Sequence, residues 1–372
     1  MKIRRTSFFF LLVSLMLAQI LAQPDDAESA SPEYFAVKRP AQFSQPLSKI
    51  GFGSCVHQDK PVSIFNPMYE EHPDLFLMIG DNIYGDTNDI QVLRAKYAKQ
   101  FSHPEVKKFV TTYPIMAVWD DHDYGENDGD TKYSIKKNSQ KLFMDVFSEP
   151  LNSPRRKQEG VYEAKIFGPP GQRVQVIMLD VRYFRSDFTP VPEEKKKANP
   201  KLGNYMPNPD PKLTMLGEVQ WKWLKEQLKK PAEIRLIASG VQVISYEHGL
   251  ESWGMLPHER QRFLDLLKEM KSEGVILLSG DQHVAELAWL KEGPLGYPLY
   301  DFTSSGLNQA TSRPQIFSDS SFRLELVPKI NNYGMIEIDW KQKDPEIRLI
   351  AKGEQGEVLF QRKLRLSELK KK

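Results

Sequence analysis

The chain has 372 residues, of which 40% are apolar and 11% aromatic, so it can bury a large core and is not typical of a disordered protein. It carries 51 Lys and Arg residues against 49 Asp and Glu residues. This balance gives no reason to expect binding to nucleic acid or to another polyanion.

Residues 1–22 form the first predicted element, a secretory signal peptide. They contain three basic residues, an apolar stretch of about fifteen residues and small residues suited to cleavage. The stretch is short for a membrane span of roughly 20 residues, and no second one follows. Ser7 stands where a twin-arginine signal prefers an apolar residue, which favours general secretion. We therefore expect a secreted or periplasmic protein without a membrane span after cleavage.

Residues 23–46 are rich in Pro, Ser and Asp and predict a leader in front of one domain over residues 47–372. Cleavage of the signal peptide would remove three basic residues and no acidic residue, which leaves the domain close to neutral. Cys55 is the only cysteine in the sequence and cannot form an internal disulfide. It is either a small buried apolar side chain or a thiol with a chemical role.

Apolar runs of strand length then alternate with amphipathic helical stretches, which predicts an α/β fold built from crossover units. The runs are "KIGFGSC", "DLFLMIGD", "IMAVWDD", "VQVIMLD", "EIRLIASG" and "GVILLSGD". Residues 184–214 predict a long polar loop, which either covers a site or is a surface excursion. Near the C-terminus, "YGMIEIDW", "EIRLIAKG" and "EVLFQRKLRL" alternate apolar and polar residues and predict antiparallel hairpins. We expect two mixed β-sheets packed together and flanked by helices.

Potential metal ligands stand at the ends of most of these runs. The terminal residues are Cys55, Asp81, Asp120 with Asp121, Asp180 and Asp281. If the strands are parallel, these side chains share one edge of the sheet, where ligands bind in open α/β folds. A crowd of carboxylates there is costly unless cations neutralise it. Further candidates flank these positions, namely Asn82, Tyr84, His122, Asp123 and His283. The mixture of ligand types predicts more than one metal ion rather than a set of helix and turn caps.

Patterns for other chemistries fit less well. A phosphocysteine mechanism needs an arginine six residues after the cysteine, where this chain has Pro61. No serine lies in a Gly-x-Ser-x-Gly nucleophile pattern, and "DHDYGENDGD" misses the spacing of an EF-hand loop. A hydrolase that uses Cys55 as its nucleophile, with His57 or His283, is one alternative. A non-catalytic binding domain stabilised by calcium is another.

Four ordered stretches, "GSC", "GDNIY", "WDDHD" and "GDQH", resemble the PhoD-like alkaline phosphatases of the calcineurin-like metallophosphoesterase superfamily. The stretches "LDVRYFR", "SGVQV" and "DFTSSGLN" also fit, so the resemblance spans about residues 48–340. It implies that residues 47–372 form a four-layer metallophosphoesterase sandwich.

The resemblance also implies the metal ligands, which are Cys55, Asp81, Tyr84, Asp121, Asp281 and His283. Asp81 would bridge two ions. The thiol, the phenol and the imidazole would complete the shell of one ion, and the other two carboxylates would serve the second. Iron as Fe³⁺ and calcium are the implied metals, because thiolate and phenolate suit a trivalent or soft ion and oxygen ligands suit calcium. Zinc and manganese are alternatives.

The expected function is hydrolysis of phosphodiesters or phosphomonoesters, in a small-molecule, lipid or polymer substrate. A hydroxide that bridges the two metals would attack the phosphorus atom. Asn82 and His122 are the predicted catalytic residues in contact with the phosphate. Alternatively, Asn82 shapes a turn and His122 supports the ligands. Arg182 and Arg185 are weaker candidates for phosphate contact, because such arginines more often form structural pairs.

Overall fold

The structure is a computed structural model that describes residues 36–199, 202–311 and 320–371. All described residues belong to one compact unit. The expected signal peptide and residues 23–35 of the expected leader lie outside the described residues. Among the described residues, no helix is both long enough and apolar enough to cross a membrane.

Strands and helices alternate along most of the described chain. The strands are β1 (Lys49–Gly53), β2 (Leu75–Ile79), β3 (Ile115–Val118), β4 (Glu163–Phe167), β5 (Val174–Met178), β6 (Thr189–Pro190), β7 (Tyr205–Met206), β8 (Ile234–Ser239), β9 (Val275–Ser279), β10 (Ala285–Leu290), β11 (Leu299–Ser304), β12 (Arg323–Val327), β13 (Asn332–Asp339), β14 (Glu346–Gly353) and β15 (Val358–Arg365). The α-helices are α1 (Phe65–Glu70), α2 (Ile90–Ser102), α3 (Pro104–Thr112), α4 (Asp121–Tyr124), α5 (Lys136–Val146), α6 (Glu193–Ala198), α7 (Gly217–Leu228) and α8 (Pro257–Glu269).

Two large mixed sheets contain most of the strands. One has the order β15-β14-β13-β1-β2-β3, and the other has the order β12-β10-β11-β9-β8-β5-β4. The strands β1, β2 and β3 are parallel, and so are β5, β8, β9 and β11. Every residue of β2, β3, β5, β8 and β9 is buried, as expected for parallel strands that are covered on both faces.

The two sheets pack face to face, and helices cover their outer faces. Phe302 of β11 contacts Phe52 of β1 with ring centroids 4.9 Å apart and Phe360 of β15 with centroids 5.7 Å apart. On the outer side of the first sheet, Phe109 of α3 packs on Phe76 of β2 at 5.0 Å. On the second sheet, the Gln175 side chain of β5 donates to the backbone of α7. The predicted sandwich of two mixed sheets flanked by helices is therefore confirmed.

All six apolar runs form strands, and the three C-terminal segments form the antiparallel strands β13, β14 and β15. One expectation needs correction, because the strands that carry the acidic residues do not belong to a single sheet. Strands β1 to β3 lie in the first sheet, whereas β5, β8 and β9 lie in the second. The carboxyl ends of the two sets meet where Ser54, after β1, pairs in a parallel bridge with Ser305, after β11.

Candidate metal centre

The carboxyl ends of strands from both sheets converge on one group of buried side chains. Cys55 follows β1, Asp81 follows β2, Asp121 follows β3 and Asp281 follows β9. The backbone N–H of Cys55 donates to Gly80 O at 3.3 Å, and that of Gly280 donates to Gly240 O at 2.9 Å. These bonds join neighbouring strand ends, and they bring residues far apart in sequence into one site.

The first cluster contains Cys55, Asp81 and His283, whose ligand atoms lie within 4.8 Å of one another. Cys55 Sγ is 3.2 Å from Asp81 Oδ2. The Tyr84 hydroxyl lies 3.5 Å from the same carboxylate oxygen and 2.9 Å from His283 Nε2. Ser305 supports the cluster, because its Oγ is 3.2 Å from Cys55 Sγ and accepts the backbone N–H of His283 at 2.8 Å. The structure therefore brings together all four residues expected around one ion.

A second cluster shares Asp81 with the first, and a third shares Asp121 with the second. Asp81 groups with Asp121 and His122, and Asp121 also groups with Asp120 and Asp281, in each case with ligand atoms within 4.8 Å. Asp81 thus belongs to both the thiol-containing and the carboxylate-rich groups, as its expected bridging role requires. The buried oxygens Asp120 Oδ2 and Asp121 Oδ1 have no hydrogen-bond partner among the described residues. Because such oxygens are costly to bury, they fit a cation at this position.

The raised pKa values of the candidate ligands also indicate that cations bind here. Burial, together with nearby negative groups, raises the pKa of Asp81 and that of Asp281 well above the usual range. Burial also raises the pKa of the Cys55 thiol to about 12 and raises that of the Tyr84 phenol. These groups can all be ionised at neutral pH only if cations lie among them. The donor set of thiol, phenol, imidazole and carboxylates therefore fits metal ions.

The backbone at four candidate ligands is left-handed, a conformation that non-glycine residues rarely adopt. The φ angles are 62° at Cys55, 50° at Asp81, 63° at Asp281 and 59° at His283. Such backbone costs energy and concentrates at functional sites, where the surrounding structure holds it. At each of these positions the chain turns sharply after a strand or a strand-end turn. The turns bring Cys55, Asp81 and His283 into one cluster and Asp281 into another.

The cysteine nucleophile considered from the sequence is not favoured by this geometry. Cys55 is fully buried, and burial raises the pKa of its thiol. A nucleophilic thiolate needs a lowered pKa and access to substrate. Cys55 Sγ instead faces Asp81, Ser54 and Ser305.

His122 forms a pair that the sequence did not reveal. Its Nδ1 lies 2.8 Å from Asp86 Oδ1 and 2.9 Å from Asp86 Oδ2, and its ring packs on Tyr84 with centroids 4.1 Å apart. Burial alone would lower the pKa of His122, but the Asp121 and Asp86 carboxylates raise it to about 9. Asp86 is not among the candidate residues that the sequence predicts. In the structure it is a carboxylate partner for the imidazole.

Asn82 is almost fully buried behind the ligands. Its Nδ2 donates to Val118 O at 3.0 Å and to Asp123 Oδ2 at 2.5 Å. Both amide hydrogens are thereby engaged by the protein. This geometry favours the turn-shaping alternative for Asn82 over direct contact with phosphate.

The two arginines and one of the strand-end acids have structural partners. Arg182 is fully buried and binds Asp120 through Nε and Glu251 at 2.8 Å, and Arg185 lies 3.2 Å from Glu251. Asp180 accepts three backbone N–H bonds at 2.8–2.9 Å and belongs to none of the candidate metal clusters among the described residues. Asp180 is therefore a turn residue and does not share the metal-ligand edge, contrary to the grouping of all strand-end acids.

The clusters open into a cleft of about 150 Å³. Residues from several segments line it: Asp121, His122, Asn127, Asp128, Asn204, Tyr205, Leu250, Glu251, Asp281, Gln282, His283 and Thr311. Asn204 and Tyr205 belong to the predicted long loop, which contains the β6–β7 hairpin and α6. The Tyr205 hydroxyl donates to Asp128, and its backbone N–H donates to Gly249 O at 2.8 Å. Part of the loop therefore forms a wall of the cleft.

Comparisons with known proteins agree with the sequence motifs. A family model described as "PhoD-like phosphatase" matches residues 50–317. The chain is 23% identical over 284 residues to alkaline phosphatase D of Bacillus subtilis (strain 168), with 64% of this chain and 46% of that protein covered. This chain therefore spans about half the length of that curated relative.

Two solved structures have a similar fold. One, described as the structure of PhoD, superposes with a TM-score of 0.64 and 17% identity and covers 88% of this chain and 73% of that chain. The other is a purple acid phosphatase from yellow lupin (Lupinus luteus) seeds, with a TM-score of 0.56, 10% identity, and coverage of 88% and 55%.

Proposed function

Because the chain belongs to the PhoD-like phosphatase family, we propose that it hydrolyses phosphoesters at a centre of at least two metal ions. The observation that carries the proposal is the position of Asp81, which is shared by the thiol-containing cluster and by a carboxylate cluster. A carboxylate in this position can hold two ions at the short separation that phosphoester hydrolysis requires.

We assign iron to the cluster of Cys55, Asp81, Tyr84 and His283, because it combines sulfur, phenol and imidazole donors. Calcium suits the group of Asp120, Asp121 and Asp281, which offers oxygen donors alone. Zinc and manganese are the alternatives at these positions. When bound, such ions hold the phosphate oxygens, lower the pKa of a water molecule and offset the charge that develops during attack.

Residues of the chain orient the side chains around the proposed metal centre. His122 Nδ1 faces Asp86, a carboxylate that can only accept a hydrogen bond when it is ionised, so Nδ1 carries a proton. The Nε2 atom is then the atom of His122 available to the cleft, 4.0 Å from Asp121 Oδ2. Because the Asp121 and Asp86 carboxylates raise the pKa of His122 to about 9, Nε2 is protonated as well at neutral pH, and it can donate to a phosphate oxygen or to the leaving oxygen. Arg182 and Glu251 hold the acidic residues beside it in place.

The cleft accommodates the organic part of a small phosphoester between Tyr205, Leu250 and Thr311. Lipid and polymer phosphoesters are further candidate substrates. Residues 1–22 support a secreted or periplasmic location, because their composition is that of a signal peptide.

The proposal is tested by metal analysis of the purified protein together with assays on p-nitrophenyl phosphate and bis-p-nitrophenyl phosphate. We expect iron and a second metal, turnover of at least one substrate, and loss of turnover after chelation. Turnover that persists after complete metal removal but disappears after thiol alkylation would establish Cys55 as the nucleophile. Bound calcium without turnover of any phosphoester would instead establish the non-catalytic binding domain.

A further inference from the structure

Asp123 is a fully buried carboxylate whose hydrogen-bonding capacity is completely used by the protein. Its Oδ1 accepts the backbone N–H groups of Asp81 at 3.0 Å and Asp120 at 2.7 Å. Its Oδ2 accepts Asn82 Nδ2 at 2.5 Å and the Tyr97 hydroxyl at 3.4 Å. These four donors match the roughly four lone-pair positions of a carboxylate. Among the described residues, Asp123 belongs to no candidate metal cluster.

The location of Asp123 is unfavourable for a residue with no function. It lies close to the carboxylates of Asp81 and Asp120 in the interior of the protein, and burying several negative charges together is costly. A neutral side chain of similar shape would avoid this cost. The burial of the Asp123 carboxylate is therefore best explained by the positions of the four donor groups, which its hydrogen bonds fix.

The four bonds connect three separate segments of the chain. Asp81 and Asn82 form the turn after β2, Asp120 is the N-cap of the short helix α4 after β3, and Tyr97 lies on helix α2. Asn82 adds a second link between the two turns, because its Nδ2 also donates to Val118 O at 3.0 Å, in the last residue of β3. The φ of 50° at Asp81 lies in the turn that these bonds fix.

We propose that Asp123 and Asn82 form a positioning pair that locks the turn of Asp81 to the turn of Asp120 and Asp121, and so sets the separation of the metal ligands. The inference rests on the proposed metal centre. Asn82 then acts through the ligands and does not touch the phosphate. Hydrogen-bond partners behind metal ligands commonly change metal affinity or activity by 10- to 100-fold when they are removed.

The test uses full-length protein that has been dialysed against a chelator. The melting temperature is measured during titration with Ca²⁺ and, separately, with Mn²⁺, and the half-saturating concentration of each ion is recorded. Asn82→Ala and Asp123→Asn should each raise this concentration by about 10-fold or more. Ligands that are not held in place lose conformational entropy when the ion binds, and this loss weakens binding. Tyr97→Phe removes the longest of the four bonds and should raise it by less than about 3-fold.

Variants that exchange the amide and the carboxylate test the contact between positions 82 and 123 directly. Asn82→Asp alone places two carboxylates side by side, whereas the double variant Asn82→Asp with Asp123→Asn restores one amide and one carboxylate. We expect the double variant to bind the ions more tightly than Asn82→Asp alone, because the bond between positions 82 and 123 is regained. Losses that are simply additive would overturn the pairing.

Asp301→Asn is the matched control. Asp301 is also a fully buried carboxylate, and it accepts the backbone N–H groups of Val243 and Ile244 at 2.9 Å and Ser279 Oγ at 2.8 Å. This variant should lower the melting temperature without shifting the half-saturating metal concentration.

The inhibition constant for inorganic phosphate separates the two roles of Asn82. If Asn82→Ala weakens phosphate inhibition but leaves the metal concentrations within about twofold of the wild type, Asn82 is a phosphate contact and the inference is wrong. Should Asp123→Asn fail to fold, Asn82→Ala alone decides the outcome. If no phosphoester is hydrolysed, the proposed function fails, while the metal titrations still decide on the positioning pair.

Discussion

The carboxylate of Asp86 lies 2.8 Å from Nδ1 of His122, so an exposed acid orients a histidine at the edge of the candidate metal centre. The backbone supports the contact, because Gly85 N donates to His122 O at 2.9 Å. The side chains of Asp86 and His122 are thus in contact, and the backbone bond from the neighbouring Gly85 holds the two segments together. The pair fixes which ring nitrogen faces the cleft.

Asp86→Asn should lower kcat by about 10-fold with little change in KM, because the amide orients the imidazole less firmly and stabilises its cationic form less. Steady-state kinetics on p-nitrophenyl phosphate measures the effect. Asp89→Asn is the control, since Asp89 is an exposed N-cap of α2 that accepts Gln91 N, and asparagine caps equally well. Equal kcat values for the wild type and Asp86→Asn would show that the pair of Asp86 and His122 has no role in catalysis.

Native protein should resist alkylation by iodoacetamide at neutral pH. Cys55 is fully buried, so the reagent cannot reach it. Without a bound ion, burial raises the pKa of its thiol to about 12, and with iron bound the sulfur would be a ligand. In urea the same thiol should react fully, as mass spectrometry will measure. Cys55→Ser should lose iron while the fold, followed by circular dichroism, remains. Rapid alkylation of the metal-loaded native protein would contradict this assignment.

Asp281→Gly should be more stable than Asp281→Ala by about 1 kcal/mol, because φ is 63° at this position and an alanine Cβ is strained there. Urea unfolding in the presence of a chelator measures the difference without a contribution from bound metal. The same two substitutions at Asp265, an exposed residue inside α8, should give the opposite order, since glycine destabilises a helix relative to alanine. A more stable alanine variant at position 281 would show that the turn relaxes without its native side chain.

His248 should make the protein less stable as the pH falls. Its Nε2 lies 3.0 Å from Gln242 Oε1, its Nδ1 accepts Leu250 N, and burial lowers its pKa from 6.5 to about 4. The unfolded state therefore binds a proton between these pH values while the folded state does not, so stability falls as the pH drops below 6.5. The expected loss is about 2 kcal/mol between pH 7 and pH 5.

Urea unfolding of the wild type and of His248→Gln at both pH values isolates this contribution. The variant should be less stable at pH 7 but should lose about 2 kcal/mol less between pH 7 and pH 5, because it lacks the titrating group. Parallel pH dependence in the two proteins would show that His248 is protonated in the folded state as well.

The strands could be predicted because each is a short apolar run bounded by polar or turn residues, and the runs before Asp81 and Asp281 show this most clearly. The order of strands within the two sheets could not be read in this way. Asp180 and Asp281 follow similar runs, yet backbone donors surround the first and carboxylates surround the second. That difference depends on tertiary neighbours that a single sequence does not display.

The roles of Asp86 and Asp123 were missed for different reasons. Asp86 meets His122 across 36 positions of sequence, and no local pattern marks such a pair. Asp123 stands three residues after Asp120, which is the spacing of a capping box, and the structure contains that capping arrangement at α4. Its spacing was therefore a usable signal. Its second role, as acceptor for Asp81 and Asn82, depends on the packing of β2 beside β3.

The parallel bridge between Ser54 and Ser305 has a consequence for the order in which the protein folds. Strand β1 pairs with β13, so Lys49 lies opposite Glu337, and the site beside Cys55 is completed by His283 from the other sheet. Contacts between residues so far apart in sequence form slowly, because a long loop must close before they can stabilise anything. We therefore expect the centre to be among the last parts of the molecule to assemble. A bound ion would then stabilise the completely folded chain over partly folded forms, and would link metal binding to the final docking of the two sheets.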